Sequence, residues 1–397
     1  MVVQTFQLKI ADSEFAERKE KLRAYVEEMG VSGIILFDSD YILYFTGFKF
    51  IPTERPIAFA MTSQGNSGLY VPRLEFEHAR ANALIDRVDY YKEYPDKTHP
   101  AQGLLNMLSD MGLNDTVLAD HDGYPWIFGY RGPALTESGY TVKSPRAFIE
   151  DQMAIKSEAE IRLLQESARW GNLAHQLLQR YTVVGATETV VEQRASNEAT
   201  LAMMDAIGPI YRAQNTNGAF AGYRGQIGRN ASIPHALANN ITFQKGDVLV
   251  TGATAGVWGY VSELERTMFL GNPTDEQKRL FDHMLALQDL AIAAIEPGKP
   301  CSAVDTEVRQ YFADHDLTEY WKHHSGHTIG IRYHEGPFLD VGDDTIIQPG
   351  MVFTVEPGLY APGIGGFRHS DTVVVREDGV AFITYYPRDL DSLILPA

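Results

Sequence analysis

Short apolar runs and longer amphipathic stretches occupy different halves of the chain. From Ser13 to Met29, Phe15, Leu22 and Val26 recur near helical spacing until Gly30, which predicts one helix. GIILF (Gly33 to Phe37), YILYFTGF, IAFAMT and SGLYVP are then apolar runs of strand length separated by turn residues, each read as a strand. LLNMLSDMG predicts a helix and DTVLAD a strand, so residues 1–153 are expected to form a small α/β domain. The pattern changes at Ile155. KSEAEIRLLQESARWGNLAHQLLQRY predicts a long amphipathic helix opened by Ser157 and Glu160, a capping box in which each side chain satisfies a free amide of the first turn. TETVVEQRASNEATLAMMDAI and DEQKRLFDHMLALQDLAIAAI predict two further helices, the second stopped at Pro297-Gly298. Strands are expected around MVFTVEPGLY and FRHSDTVVVRE, so residues 154–397 read as an α+β domain of helices packed on a curved antiparallel sheet.

Gly246 to Leu270, GDVLVTGATAGVWGYVSELERTMFL, stands at the centre of this second half and reads as two apolar strands around a Gly-rich turn. Alternation along a strand puts Glu263 and Glu265 on one face, with Leu264 and Met268 on the other. Paired carboxylates are costly to bury without a cation or a proton between them, which points to a ligand, a metal or a cationic substrate. The alternative is a solvated strand edge whose glutamates pair with nearby Lys or Arg.

Composition narrows the function classes. The chain has 397 residues, 44% of them hydrophobic, with a formal net charge of −18, which argues against nucleic acid or an anionic membrane surface as partner. Cys301 is the single cysteine, so an internal disulfide and a cysteine-built metal site are excluded, and a reducing cytoplasm fits. MVVQTFQLKIADSEF lacks a basic segment followed by an apolar run, and no apolar stretch approaches spanning length, so a soluble cytoplasmic protein is expected.

Polar residues in apolar settings mark a shared site. NASIPHALANN carries His235, HHSGHTIGIRYHEGP carries His323, His324, His327 and His334, TVEPGLY carries Glu356, and GGFRHSDT carries Arg368, His369 and Asp371. A lone histidine in such a context is usually a hydrogen-bonded core residue. Several His and Glu on separate strands, each beside Gly or Pro, point to one site instead.

In order along the chain stand K-S-x-x-E-I, H-x-x-x-N, G-Y-x-S-E-x-x-R-T, G-H-x-I-G-x-x-x-H-E-G-P, E-P-G-L-Y and R-x-x-D-T. The chain thereby resembles, over its whole length, the pita-bread superfamily that contains methionine aminopeptidase, aminopeptidase P, prolidase and creatinase. The resemblance implies a C-terminal pita-bread domain preceded by a creatinase/prolidase-type domain. Peptidases of this group hold two metal ions with two aspartates, a histidine and two glutamates. The matching positions here are Gly252, Glu263, His327, Glu356 and Ser370, and a glycine and a serine supply no carboxylate for a dinuclear site.

The tetrad Leu264-Glu265-Arg266-Thr267 is similar to that of creatinase, the member that works without metal. That similarity implies no metal and no cofactor, and a hydrolase of a C–N bond in a small carboxylate-bearing guanidino, amidino or amide substrate. His235 would be the general base and acid. Glu265 and Glu356, with Glu263 nearby, would hold a cationic amidine or guanidinium, while His327 and His334 would orient water or substrate. Arg55, reaching the neighbouring subunit's site in a homodimer, would fix the carboxylate, with Arg332 a candidate second arginine. A first alternative is an Xaa-Pro dipeptidase or aminopeptidase P-like enzyme with a single metal on Glu263, His327 and Glu356. A second is a non-catalytic recognition module.

Overall fold

In the computed structural model, which describes residues 8–125, 131–210 and 218–397, the chain separates into two compact units. One is Ile10–Gln152 and the other is built on Met153–Ala397. Residues 1–7, assigned above to the first domain, lie outside the described residues.

The first unit holds a six-stranded sheet with strand order Arg87–Tyr91, Ser67–Pro72, Ala58–Thr62, Gly33–Leu36, Thr116–Ala119 and Thr141–Lys143. The strands GIIL, AFAMT and SGLYVP are buried at every position, as continuous apolar runs require. YILYFTGF departs from its expectation. Ser39–Thr46 is a helix, not a strand. Asp38 caps it by accepting from the amides of Asp40 and Tyr41 at 2.9 and 3.3 Å, and Gly47 closes it in the left-handed conformation at φ 71°. Tyr41 through Thr46 are all buried, so this helix has no polar face and shows no helical period.

In the second unit the capping box is present with both bonds: Glu160 N–H donates to Ser157 Oγ at 3.2 Å, and Ser157 N–H to Glu160 Oε2 at 2.8 Å. The helices Glu158–Tyr181, Glu188–Ile207 and Asp275–Ala294 follow the expected segments, and Cys301–Asp314 is a further one. The main sheet is antiparallel, with strand order Glu335–Leu339, Gly326–Thr328, Val352–Val355, Ser370–Arg376, Leu264–Glu265, Gly252–Ala255 and Ala219–Gly222; Gly379–Phe382 also pairs with Ser370–Arg376.

Both runs around the Gly-rich turn are broken, one at Thr251 and the other at Arg266. Val248–Val250 and Thr267–Leu270 pair with each other in a small second sheet, whereas Gly252–Ala255 and Leu264–Glu265 belong to the main one. Arg266 pins this crossing. Fully buried, its guanidinium donates to the carbonyls of Glu265, Ser370, Tyr386 and Pro387 and to Asp371 Oδ1 at 2.8 Å, using its whole donor set. The hairpin is thereby held with the segment around Glu263 inside the main sheet. Among the described residues, no helix is long and apolar enough to cross a membrane.

Candidate active site

Three side chains from three strand segments converge. His327 lies in Gly326–Thr328, Glu356 directly follows Val352–Val355, and Glu263 directly precedes Leu264–Glu265. Their ligand-type atoms lie within 4.8 Å of one another, the one such group of three among the described residues. Each backbone is locked. Glu356 N–H donates to Ser325 O at 2.8 Å, while Glu263 exchanges bonds with Thr372, its N–H to Oγ1 at 2.9 Å and its carbonyl accepting from that hydroxyl at 2.8 Å.

His327 is fully buried, and its Nδ1 donates to Thr328 O at 2.9 Å. Its Nε2 lies 3.2 Å from Glu356 Oε1, an ion-pair contact outside hydrogen-bond geometry, and accepts or donates no hydrogen bond elsewhere. Glu263 accepts from Ser370 Oγ at 2.8 Å. Burial, then the charges of Glu356 and Glu265, push the Glu263 carboxyl well above the usual range. Burial opposes charge on His327 as well, yet the contact with Glu356 and the charges of both glutamates prevail and raise its pKa. Glu356 is held low for the complementary reason: burial would raise it, and His327 and Arg368 outweigh burial.

These residues fit one divalent cation. One imidazole nitrogen and two carboxylates are a donor set that a single divalent cation accepts once the carboxylates are deprotonated. They do not fit two. Gly252 contributes no side chain, and the Ser370 hydroxyl is already bonded to Glu263.

Glu265 stands outside this trio. Arg368 engages its carboxylate in a two-point contact, through Nε to Oε2 and through Nη2 to Oε1 at 2.7 Å, and Arg224 adds a bond to Oε1 at 3.2 Å. The guanidinium expected here from a substrate is thus already supplied by the chain. Arg368 Nη1 donates to Tyr360 Oη at 2.7 Å, and His323 Nε2 lies 2.7 Å from the same hydroxyl.

His334 is exposed, and its ring stacks on that of His327 at 3.9 Å with a 16° tilt. Its pKa is lowered by partial burial and then by the charges of His327, His324 and His235. His235 is exposed in the segment after the turn Gly228–Ser232. Arg332 is half-buried on the His334 loop, and its N–H donates to Glu335 Oε1 at 3.0 Å. That loop is tied down by a buried ion pair, Lys156 Nζ to Glu335 Oε2 at 2.8 Å. Arg55, in the other unit, is held by Glu93 and Glu54, each at 2.6 Å.

Sequence reasoning singled out Arg368 only as an unusual polar residue and passed over Tyr360, Lys156 as an ion-pair partner and Tyr333, whose hydroxyl pKa is raised by burial and by the charge of Glu263. The E-P-G-L-Y and K-S motifs held two of these, but a motif does not say what its side chains touch.

A fold of this kind, with an acidic and histidine-bearing centre on its main sheet, defines a hydrolase class. Residues 162–377 match the metallopeptidase family M24 and residues 18–123 match the creatinase/prolidase N-terminal domain; the chain belongs to family M24. It is 26% identical over 379 residues to an Xaa-Pro dipeptidase of Pyrococcus horikoshii, covering 94% of this chain and 98% of that protein. An Xaa-Pro dipeptidase of Lactobacillus delbrueckii is likewise 26% identical over 394 residues, covering 94% and 98%. The structure of an Xaa-Pro dipeptidase from Bacillus anthracis superposes with a TM-score of 0.78 at 24% identity, over 96% of this chain and all of that one, a likeness of fold.

These relatives overturn the expectation of a metal-independent, creatinase-like hydrolase of guanidino or amidino compounds. Similarity over nearly the full length runs to Xaa-Pro dipeptidases, which agrees with the first alternative. The L-E-R-T tetrad that suggested otherwise has its glutamate committed to Arg368.

Proposed function

We propose that the protein is a peptidase acting on Xaa-Pro dipeptides or similarly short peptides through a single divalent metal ion held by Glu263, His327 and Glu356. The observation that carries this reading is the convergence of His327 Nε2, buried and without a hydrogen bond, with the carboxylates of Glu263 and Glu356 inside the segment that matches family M24. When bound, the ion supplies Lewis-acid activation of water and of the scissile carbonyl. The chain's residues do the rest. Glu263 binds as the carboxylate, so its raised pKa in the metal-free centre makes metal uptake release a proton. His334, whose pKa is lowered, provides a neutral imidazole for the substrate, and His235 stands as a partner for the leaving nitrogen. Ser370 fixes Glu263, and Thr328 fixes the tautomer of His327.

A cytoplasmic homodimer in which Arg55 serves the neighbouring site belongs to the same reading; there the Arg55 pair with Glu93 would exchange for a substrate carboxylate. Chelator-stripped protein is reloaded with manganese, zinc or cobalt and assayed on a panel of Xaa-Pro dipeptides. About one retained equivalent and chelator-sensitive cleavage are expected; absence of retained metal, or cleavage indifferent to chelator, overturns the reading.

A further inference from the structure

We propose that Arg224 reads the free carboxylate of the substrate, so that the site selects short peptides whose C-terminal acid directly follows the scissile bond. This deepens the Xaa-Pro dipeptidase reading and rests on it. Arg224 lies just past the strand Ala219–Gly222 of the main sheet. Its Nη2 reaches Glu265 Oε1 at 3.2 Å and Gln226 Oε1 at 3.4 Å, and among the described residues its Nε and Nη1 donate to no partner. The side chain is 47% exposed. Glu265 already has the two-point contact of Arg368, so Arg224 is a second guanidinium on a carboxylate that one guanidinium satisfies. A positive charge is thereby left over next to Glu263 and its partners, on the arginine with open donors. A carboxylate is the group that a planar guanidinium grips at two points.

The backbone is built to hold that side chain where it is. Arg224 has φ 51°, a left-handed conformation that a residue with a Cβ keeps only where its surroundings enforce it. Two glutamates of the helix Glu188–Ile207 do so. Tyr223 N–H donates to Glu192 Oε1 at 2.5 Å and Gly225 N–H to Glu188 Oε1, so the amides on both sides of Arg224 end on buried carboxylates. Glu188 Oε2 also accepts from Asn239 N–H at 3.1 Å and Ile241 N–H at 3.3 Å, which closes the segment carrying His235 onto the same anchor. Two buried carboxylates are a costly way to hold an ordinary surface turn. They present Arg224 and His235 on one clamped segment, and the acid of an Xaa-Pro dipeptide belongs to the residue whose nitrogen leaves. Arg224 is thus a specificity residue, with Glu188 and Glu192 as its positioning residues.

Mn²⁺-loaded protein is assayed on Ala-Pro and on its C-terminal amide, which differ in that charge alone. Wild type is expected to prefer the acid by at least about tenfold in kcat/KM. Arg224→Met should lower kcat/KM for the acid at least about tenfold, chiefly through KM, and change that for the amide less than about threefold. Arg224→Lys, which keeps the charge but not the fork, should recover part of the loss.

A wild type indifferent to the charge overturns the proposal, as do equal losses on acid and amide or no loss at all in Arg224→Met. A preference removed by Arg55→Met but kept in Arg224→Met gives the acid to Arg55 and overturns it too. If wild type cleaves neither compound, the dipeptidase reading falls, and calorimetry with proline and prolinamide decides on Arg224. Tighter binding of proline that Arg224→Met abolishes then sustains the anion site, and binding of neither, or of both alike, overturns it.

Discussion

Nε2 of His327 lies 3.2 Å from Oε1 of Glu356, across the join between two neighbouring strands of the main sheet. The pair is buried, and with Glu263 it forms the candidate metal-binding trio. Replacing Glu356 with Gln keeps the shape and removes the charge. We expect metal affinity to fall at least about 100-fold, by comparison with the 10–100-fold losses typical of residues that only support a ligand. Elemental analysis after dialysis, with the Xaa-Pro assay alongside, checks this; a variant retaining wild-type metal content would exclude Glu356 as a ligand.

Glycines at the site differ in what they tolerate. A Cβ on Gly326, next to His327, would lie 2.0 Å from the carbonyl oxygen of Thr354 on the adjacent strand, whereas at Gly252 it meets only Glu265 Oε1 at 3.6 Å. Gly326→Ala must push the two strands apart and is expected to cost more than about 3 kcal/mol and to abolish metal binding. Gly252→Ala should leave stability within about 0.5 kcal/mol of wild type. Urea denaturation of both variants decides it, and equal losses would show that the strand spacing is not what the glycine at 326 protects.

Acid lability should trace to buried histidines outside the metal-binding trio. His175 is fully buried, with Nε2 2.7 Å from Thr251 Oγ1, and burial followed by the charge of Arg266 lowers its pKa from 6.5 to about 3. His369, buried against Phe281, is lowered too, by burial and then Arg266. As pH falls, the unfolded chain takes up these protons first. The stabilisation is therefore complete above about pH 6.5 and drains below it, by up to about 1.4 kcal/mol per pH unit for each histidine. His175→Gln should flatten the slope of unfolding free energy between neutral pH and about pH 5. An unchanged slope would locate the titrating groups elsewhere.

The ion pair between Lys156 and Glu335 holds the base of the loop that carries Arg332, Tyr333 and His334. Lys156→Met leaves a buried carboxylate without its partner and is expected to cost about 3–5 kcal/mol. The double variant Lys156→Met/Glu335→Gln should recover part of that loss, and hydrogen exchange in the loop should rise in the single variant. Strictly additive losses in the double-mutant cycle would argue that the two side chains do not act as a pair.

The capping box at Ser157, the long amphipathic helices and the continuous apolar strands were legible in the chain because each depends on neighbours a few residues apart. The residues of the centre were within reach too, but Glu263, His327 and Glu356 stood together only in the single-metal alternative, while the loss of carboxylates at Gly252 and Ser370 favoured a metal-free reading that the relatives overturn. YILYFT misled because a helix buried on all sides has no period, although Asp38 and Gly47 carried its caps.

The role of Glu265 was misjudged for a different reason. Strand alternation correctly paired it with Glu263 as an acidic neighbour, but the choice between a substrate guanidinium and an internal one depends on Arg368, 103 residues later. Local order in the chain determined the elements, the family motifs and the inventory of candidate ligands. Which carboxylates stay available to a metal was decided by contacts between distant strands, because the free energy of a buried charge depends on the countercharge that folding brings beside it.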